Sequence, residues 1–109
     1  MSALKPTLSA TIEWITTQEG GRKAPPPGPT YTAPIRLDVD PTWQYGYWSL
    51  IANLVEAVDP FRWRAEVQFL MDDAPHHLLR PGGTFEFHEG CRVVGRGKLG
   101  DVVSNLPRI

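Results

Sequence analysis

Between residues 7 and 17, Leu8, Ala10, Ile12 and Trp14 alternate with Thr7, Ser9, Thr11 and Glu13. A period of two puts the apolar set on one face of a β-strand. The alternation returns over residues 63–71, with Trp63, Ala65, Val67 and Phe69 on one side. It returns again in the stretch 83–99, which folds around a Glu89-Gly90-Cys91-Arg92 turn. Residues 35–39 read as a short strand. Residues 47–58 fit two templates: Trp48, Leu50, Ala52 and Leu54 alternate as a strand does, whereas Leu50, Ile51, Leu54, Val55 and Val58 fit a helical face. The flanking strands favor a strand here.

Glycine and proline punctuate these segments. Glu19-Gly20-Gly21-Arg22 closes the first, because glycine accepts positive φ without steric cost. Residues 25–34 hold five of the eleven prolines. A residue that cannot donate to a ladder predicts an ordered or extended loop there rather than a strand. Asp59-Pro60 ends the middle segment, and residues 72–83 read as a loop or a single helical turn, capped by Asp72 and Asp73. Six or so short antiparallel strands without a major helix predict a closed barrel, whose closure removes sheet edges. Its expected core is Leu8, Ile12, Trp14, Leu50, Leu54, Val67, Phe69, Phe85, Phe87 and Val94, with Trp48 and Trp63 also inward.

Length and composition narrow this picture. One domain, residues 1–109, is the natural reading of a chain this short. A net charge of -1 gives no overall pull toward nucleic acid or anionic membrane. A lone cysteine, Cys91, excludes an internal disulfide and a cysteine-rich zinc site. The first ten residues lack the apolar segment of a signal peptide, and no stretch is apolar for long enough to span a bilayer as a helix. A cytoplasmic protein with no membrane association is the resulting expectation.

The two Glu-Gly-x-Arg turns, the apolar strand Ala65-Glu66-Val67-Gln68-Phe69-Leu70 and the closing Val93-Val94-Gly95-Arg96-Gly97 occur in an order that resembles the third, C-terminal domain of elongation factor Tu. Cys91 stands where that family usually has glycine. The resemblance implies a six-stranded Greek-key-type barrel standing alone, without the GTPase. It also implies that the two turns lie together at one end, on a surface the whole factor turns toward its GTPase domain. In that family the domain helps to hold the backbone of aminoacyl-tRNA.

Several residues invite chemistry. Gly95-Arg96-Gly97-Lys98 contains a Gly-Lys pair, but the spacing is not that of a phosphate-binding loop and Leu99 stands where Ser or Thr would hold magnesium, so no nucleotide binding is expected. His76, His77 and His88, with Asp72 and Asp73, match no zinc spacing. Adjacent histidines point apart, so neither metal nor cofactor is expected. Cys91 beside Arg92 has a cation to lower its pKa, and His88 is near in sequence, but nothing fixes a base on it. Arg92, Arg96 and Lys98 sit at even spacing on one strand and form a small cationic stripe. Trp43 and Tyr45 flank a Pro41/Gly46 turn with no evident burial, and exposed aromatics anchor partners.

The sequence therefore predicts a non-enzymatic binding module whose physiological role it does not specify. Its partner surface is expected at the shared turn end, through Arg22, Arg92 and Trp43, and is to meet a protein or a second copy of itself. On that reading, truncating Arg22 and Arg92 leaves stability nearly unchanged, since exposed charges contribute little. The alternative is a translation-associated accessory that binds tRNA or other RNA through Arg92, Arg96 and Lys98.

Overall fold

A computed structural model describes residues 4–16 and 20–107. It contains strands β1 (Leu4–Trp14), β2 (Thr30–Leu37), β3 (Ser49–Asp59), β4 (Arg62–Phe69), β5 (Thr84–Glu89) and β6 (Arg92–Pro107). All pairings are antiparallel, and hydrogen bonding runs β1-β4-β3-β2-β5-β6 and back to β1, so one sheet closes into a ring. β2, β3 and β4 follow one another as a meander, and β4 returns to lie beside β1. A 3₁₀ turn, His76–Leu78, interrupts the link from β4 to β5.

The apolar alternation fills this ring. Leu8, Ile12, Trp14, Leu50, Trp63, Val67, Phe69, Phe85, Phe87 and Val94 are buried together. Leu54 and Trp48 are half-buried and pack against that cluster. Leu54 sits where the β2–β3 ladder ends at Thr30↔Asn53, and its N–H donates to the Pro29 carbonyl at 2.7 Å. Residues 50–58 form strand, as their surroundings favor.

Aromatic side chains pack together inside the closed sheet. Trp14 packs edge-on to Tyr31 and Trp63 and stacks on Phe87, and Phe85 meets Phe87 edge-on. Room for them comes from the glycines of β6. A methyl group on Gly97 would lie 2.1 Å from the Phe85 ring, and one on Gly95 would lie 2.8 Å from Trp14. The Gly-x-Gly signature of this strand is thus a core-packing device: the close approach it permits comes from inside the ring.

Three expectations need correction. β2 begins at Thr30 and runs through Pro34, inside a stretch the prolines predict to be loop. Pro34 stands where β2 changes partner, from β3 at Pro34↔Ser49 to β5 at Ile35↔Phe87, and a missing donor is tolerated at such a handover. β6 continues well past Leu99, pairing with β1 as far as Leu4↔Pro107. Bulges along that pairing break the period of two on which sequence reading depends. The N-cap of the 3₁₀ turn is Pro75, with no side-chain cap hydrogen bond, and the His76 ring hydrogen-bonds the backbone carbonyl of Asp72 at 2.7 Å.

Candidate functional site

The two Glu-Gly-x-Arg turns meet. Glu19 lies outside the described residues, but Gly20, Gly21 and Arg22 sit against the turn that joins β5 to β6. Gly20 and Gly90 have φ of 86° and 62°, the left-handed region that glycine occupies freely. Cys91 is exposed and does not share that conformation, which explains how a side chain stands at this point of the turn. Arg22 Nη1 donates to Glu89 Oε2 at 2.5 Å, and Tyr31 Oη donates to the same oxygen at 2.5 Å. Arg92 Nη1 reaches the Gly21 carbonyl at 3.4 Å.

Charge at this clasp is tuned by its neighbors. Burial pushes the Glu89 carboxyl up, but hydrogen bonds from Tyr31 and Arg22, with the positive charge of Arg22 and Arg92, outweigh it and hold the group below its ordinary range. The Tyr31 hydroxyl is pushed up, first by burial and then by its bond to Glu89. Arg22 also lies 5.6 Å from the Tyr31 ring centroid. The guanidinium that sequence reading assigns to a partner is therefore engaged within the chain. Arg92 remains exposed at the same end.

Trp43 belongs elsewhere. It packs on His88 and Tyr47, and its Nε1 donates to the Ile35 carbonyl at 2.9 Å. His88 and Glu89 are consecutive in a strand, so their side chains leave opposite faces of β5. Trp43 thus covers the outer face, while the Arg22 clasp joins the ring mouth at Tyr31 and Glu89. Its loop is organized by Asp40, whose buried carboxylate accepts N–H groups from Gln44 at 2.8 Å and Tyr45 at 3.0 Å. Trp43 itself has φ 53°, an uncommon conformation for a bulky residue, which costs about 1–3 kcal/mol.

The histidines separate as well. His76 is buried against Phe69, whereas His77 is exposed and meets Tyr45. No group of three His, Cys, Asp or Glu side chains placed to hold a metal ion occurs among the described residues.

The expected cationic stripe splits. A bulge on β6 lets His88 face Val93 while Phe87 faces Gly95, so one extra residue enters β6 between them. Val94 and Gly95 are consequently both buried. The parity of Arg92 follows Val94 toward the turn end, while Arg96 and Lys98 face out from the wall.

On that wall, register aligns charges that lie far apart in sequence. Arg36 faces Glu86, Glu86 faces Arg96, Arg96 faces Glu13, Glu13 faces Arg62, and Arg62 faces Asp59. Charge alternates along this row through all six strands. Arg36 Nη2 binds Glu86 Oε1 at 2.6 Å, and Arg62 reaches Glu13 at 3.6 Å and Asp59 at 3.8 Å. Both carboxylates beside Arg96 are thus engaged by other arginines, and Arg96 forms no ion pair among the described residues. Lys98 faces Thr84 and Thr11, which carry no charge, and is likewise unpaired among the described residues. The two cations line a groove of about 870 Å³ whose walls include Asp38, Pro41, Val58 and Trp63. Arg96 and Lys98 stand out in the sequence, but their setting exists only once the strands are in register.

No family model matches this chain, and no curated protein matches it. No helix among the described residues is long and apolar enough to cross a membrane.

Proposed function

We propose that this chain is a non-enzymatic binding module, a barrel of the kind found as the third domain of elongation factor Tu, and that it meets a protein partner through its wall groove. One observation carries the reading: Arg96 and Lys98 form no ion pair among the described residues, beside a groove that Pro41 and Val58 also line. Elsewhere on the row the charges are matched within the chain, so this is where an outside group has most to offer. The fold-level likeness has two supports. A meander whose last strand returns beside β1 is Greek-key connectivity, and the two Glu-Gly-x-Arg turns do converge. The turn end is the weaker partner surface, because Arg22 is engaged by Glu89 and Trp43 lies on another face.

A second reading keeps the same residues and changes the ligand. Two adjacent outward cations suit an RNA backbone, and Arg92 no longer belongs with them. Affinity purification of cross-linked complexes from the native cell tests both readings. The wild type should retain a protein that the Arg96→Ala/Lys98→Ala double variant loses and that Arg92→Ala keeps. Loss with Arg92→Ala alone would move the surface back to the turn end. Recovery of RNA in place of protein would establish the second reading.

A further inference from the structure

Resting on the binding-module reading, we infer that the wall groove takes an extended acidic segment, with carboxylates two residues apart and an apolar residue nearby, from a different protein. Arg96 and Lys98 stand two positions apart on the outer face of β6. Side chains so placed are about 6.6 Å apart along a strand, the same interval at which an extended peptide presents alternate side chains to one side. A Glu-x-Glu segment can therefore set one carboxylate against each cation. Arg96 adds geometry, since its planar fork grips a carboxylate at two points. Thr11 and Thr84, flanking Lys98 in register, offer hydroxyls to the same segment. Val58 is more than half exposed at the groove's border, and Pro41 lies across from it, which gives an apolar side chain a place to pack.

The remaining lining decides between anions. Glu13, Glu86 and Asp38 border the same groove as these two cations. A polyphosphate places a negative charge at every repeat and would meet these carboxylates. A peptide carries discrete carboxylates with neutral amides between them, and its N–H groups can face Glu13 and Glu86. The chain's overall charge of -1 also gives no long-range attraction for a polyanion.

A second copy is a poor occupant. Among the twelve acidic residues of the sequence, only Asp38 and Asp40 stand two apart. Asp40 is buried and its carboxylate holds the Gln44 and Tyr45 amides, so this pair cannot be offered to a neighbor without unmaking its own loop.

The test uses the full chain labeled with nitrogen-15 and three probes: an acetylated nine-residue peptide centered on Glu-Val-Glu, its Gln-Val-Gln counterpart, and an oligouridylate of similar length. The acidic peptide should shift the amide signals of Thr11, Arg96 and Lys98. It should bind at least about tenfold more tightly than the Gln peptide, as expected when two charge-assisted contacts are lost. The Arg96→Ala/Lys98→Ala variant should lose that preference while keeping the wild-type melting temperature. Equal affinity for the two peptides, or a preference that survives in the double variant, overturns the inference. So does oligouridylate displacing the acidic peptide from these residues. If the peptides fail but the double variant still loses its cross-linked cellular protein, the binding-module reading stands and only the acidic class falls. If that protein is retained as well, both fall.

Discussion

Arg22 and Glu89, sixty-seven positions apart in the chain, join at 2.5 Å and fasten the end of the first loop to the β5–β6 turn. The contact makes Arg22 part of the fold. Roughly a third of each side chain still meets solvent, so the pair is worth less than a fully buried one. Glu89 also accepts from Tyr31, and losing either donor leaves a carboxylate less well satisfied. Arg22→Ala should destabilize the protein by about 1–2 kcal/mol. That corresponds to about 4–8 °C of melting temperature per kcal/mol in a domain of this size. A double-mutant cycle with Glu89→Gln, followed by urea unfolding, should show coupling between the two sites. Additive effects would mean that the contact contributes nothing. This revises the expectation from sequence that truncating Arg22 is harmless; Arg92→Ala alone should stay nearly neutral.

The clasp also sets two limbs of a pH–stability profile. The folded Glu89 carboxyl lies below its ordinary value of 4.5, so its contribution is present above that value and is lost as pH falls through the lower folded value. The folded Tyr31 hydroxyl lies above its ordinary 10.0, so its contribution is complete below pH 10.0 and is lost as pH rises through the folded value. Chemical denaturation across pH should show Glu89→Gln flattening the acid limb and Tyr31→Phe flattening the alkaline limb. Limbs identical to wild type in both variants would place the titrating groups elsewhere.

How much was legible in the sequence depends on how far each signal travels along the chain. Period-two alternation identifies strands because burial on one sheet face is local in sequence, and it places Leu8, Ile12, Val67 and Phe87 correctly. The same rule misplaces Arg92, because a single inserted residue near Val94 reverses parity and no residue type announces a bulge at that point. Pro34 misleads for the opposite reason: its chemistry is local, but its tolerance depends on where β2 changes partner. The charge row is invisible before folding. Arg36, Glu86, Arg96, Glu13 and Arg62 come from five strands and are neighbors only in the closed sheet.

Gly97→Ala should be severely destabilizing. The added methyl would lie 2.1 Å from the Phe85 ring, 2 % exposed in a core crowded by Trp14 and Phe87, so the ring has nowhere to withdraw. Overpacking of this kind costs about 1–3 kcal/mol, and more where neighbors cannot shift. Gly90→Ala is the control: its methyl meets no atom within 4 Å, leaving only the left-handed φ of 62° to penalize it, about 1–2 kcal/mol. Thermal unfolding should rank Gly97→Ala below Gly90→Ala. The reverse order would show that the Gly-x-Gly strand is not fixed by core packing.

Asp40→Ala should loosen the aromatic loop without unfolding the ring. Its carboxylate accepts two backbone N–H groups, and the loop holds Trp43 in an unfavorable backbone conformation. Removing the acceptors leaves those amides to water and frees Trp43 to relax toward negative φ. Hydrogen exchange should rise over residues 40–47, while amides of β1 and β4 keep wild-type protection. Unchanged protection in the loop would mean that Asp40 is not its anchor.

The chain should not bind GTP. Gly95-Arg96-Gly97-Lys98 supplies the one Gly-Lys pair in the sequence, but these residues lie within strand β6 and not at a strand-to-helix loop. A phosphate-binding loop works by turning successive backbone N–H groups toward one anion. In an antiparallel pair, hydrogen bonding instead directs them to the neighboring strands, and β6 is paired on both sides here, with β5 through Phe87↔Gly95 and Phe85↔Gly97 and with β1 through Trp14↔Gly95 and Ile12↔Gly97. The space that the two glycines leave is occupied by Trp14 and Phe85. Reshaping this segment around a nucleotide would empty that core and break two ladders, a far larger loss than a nucleotide contact returns. Titration calorimetry with GTP and magnesium should show no saturable heat, and micromolar affinity would overturn the claim. Weak heat abolished by Arg96→Ala/Lys98→Ala and equal for inorganic triphosphate would report anion contact at the outer wall, not a nucleotide site.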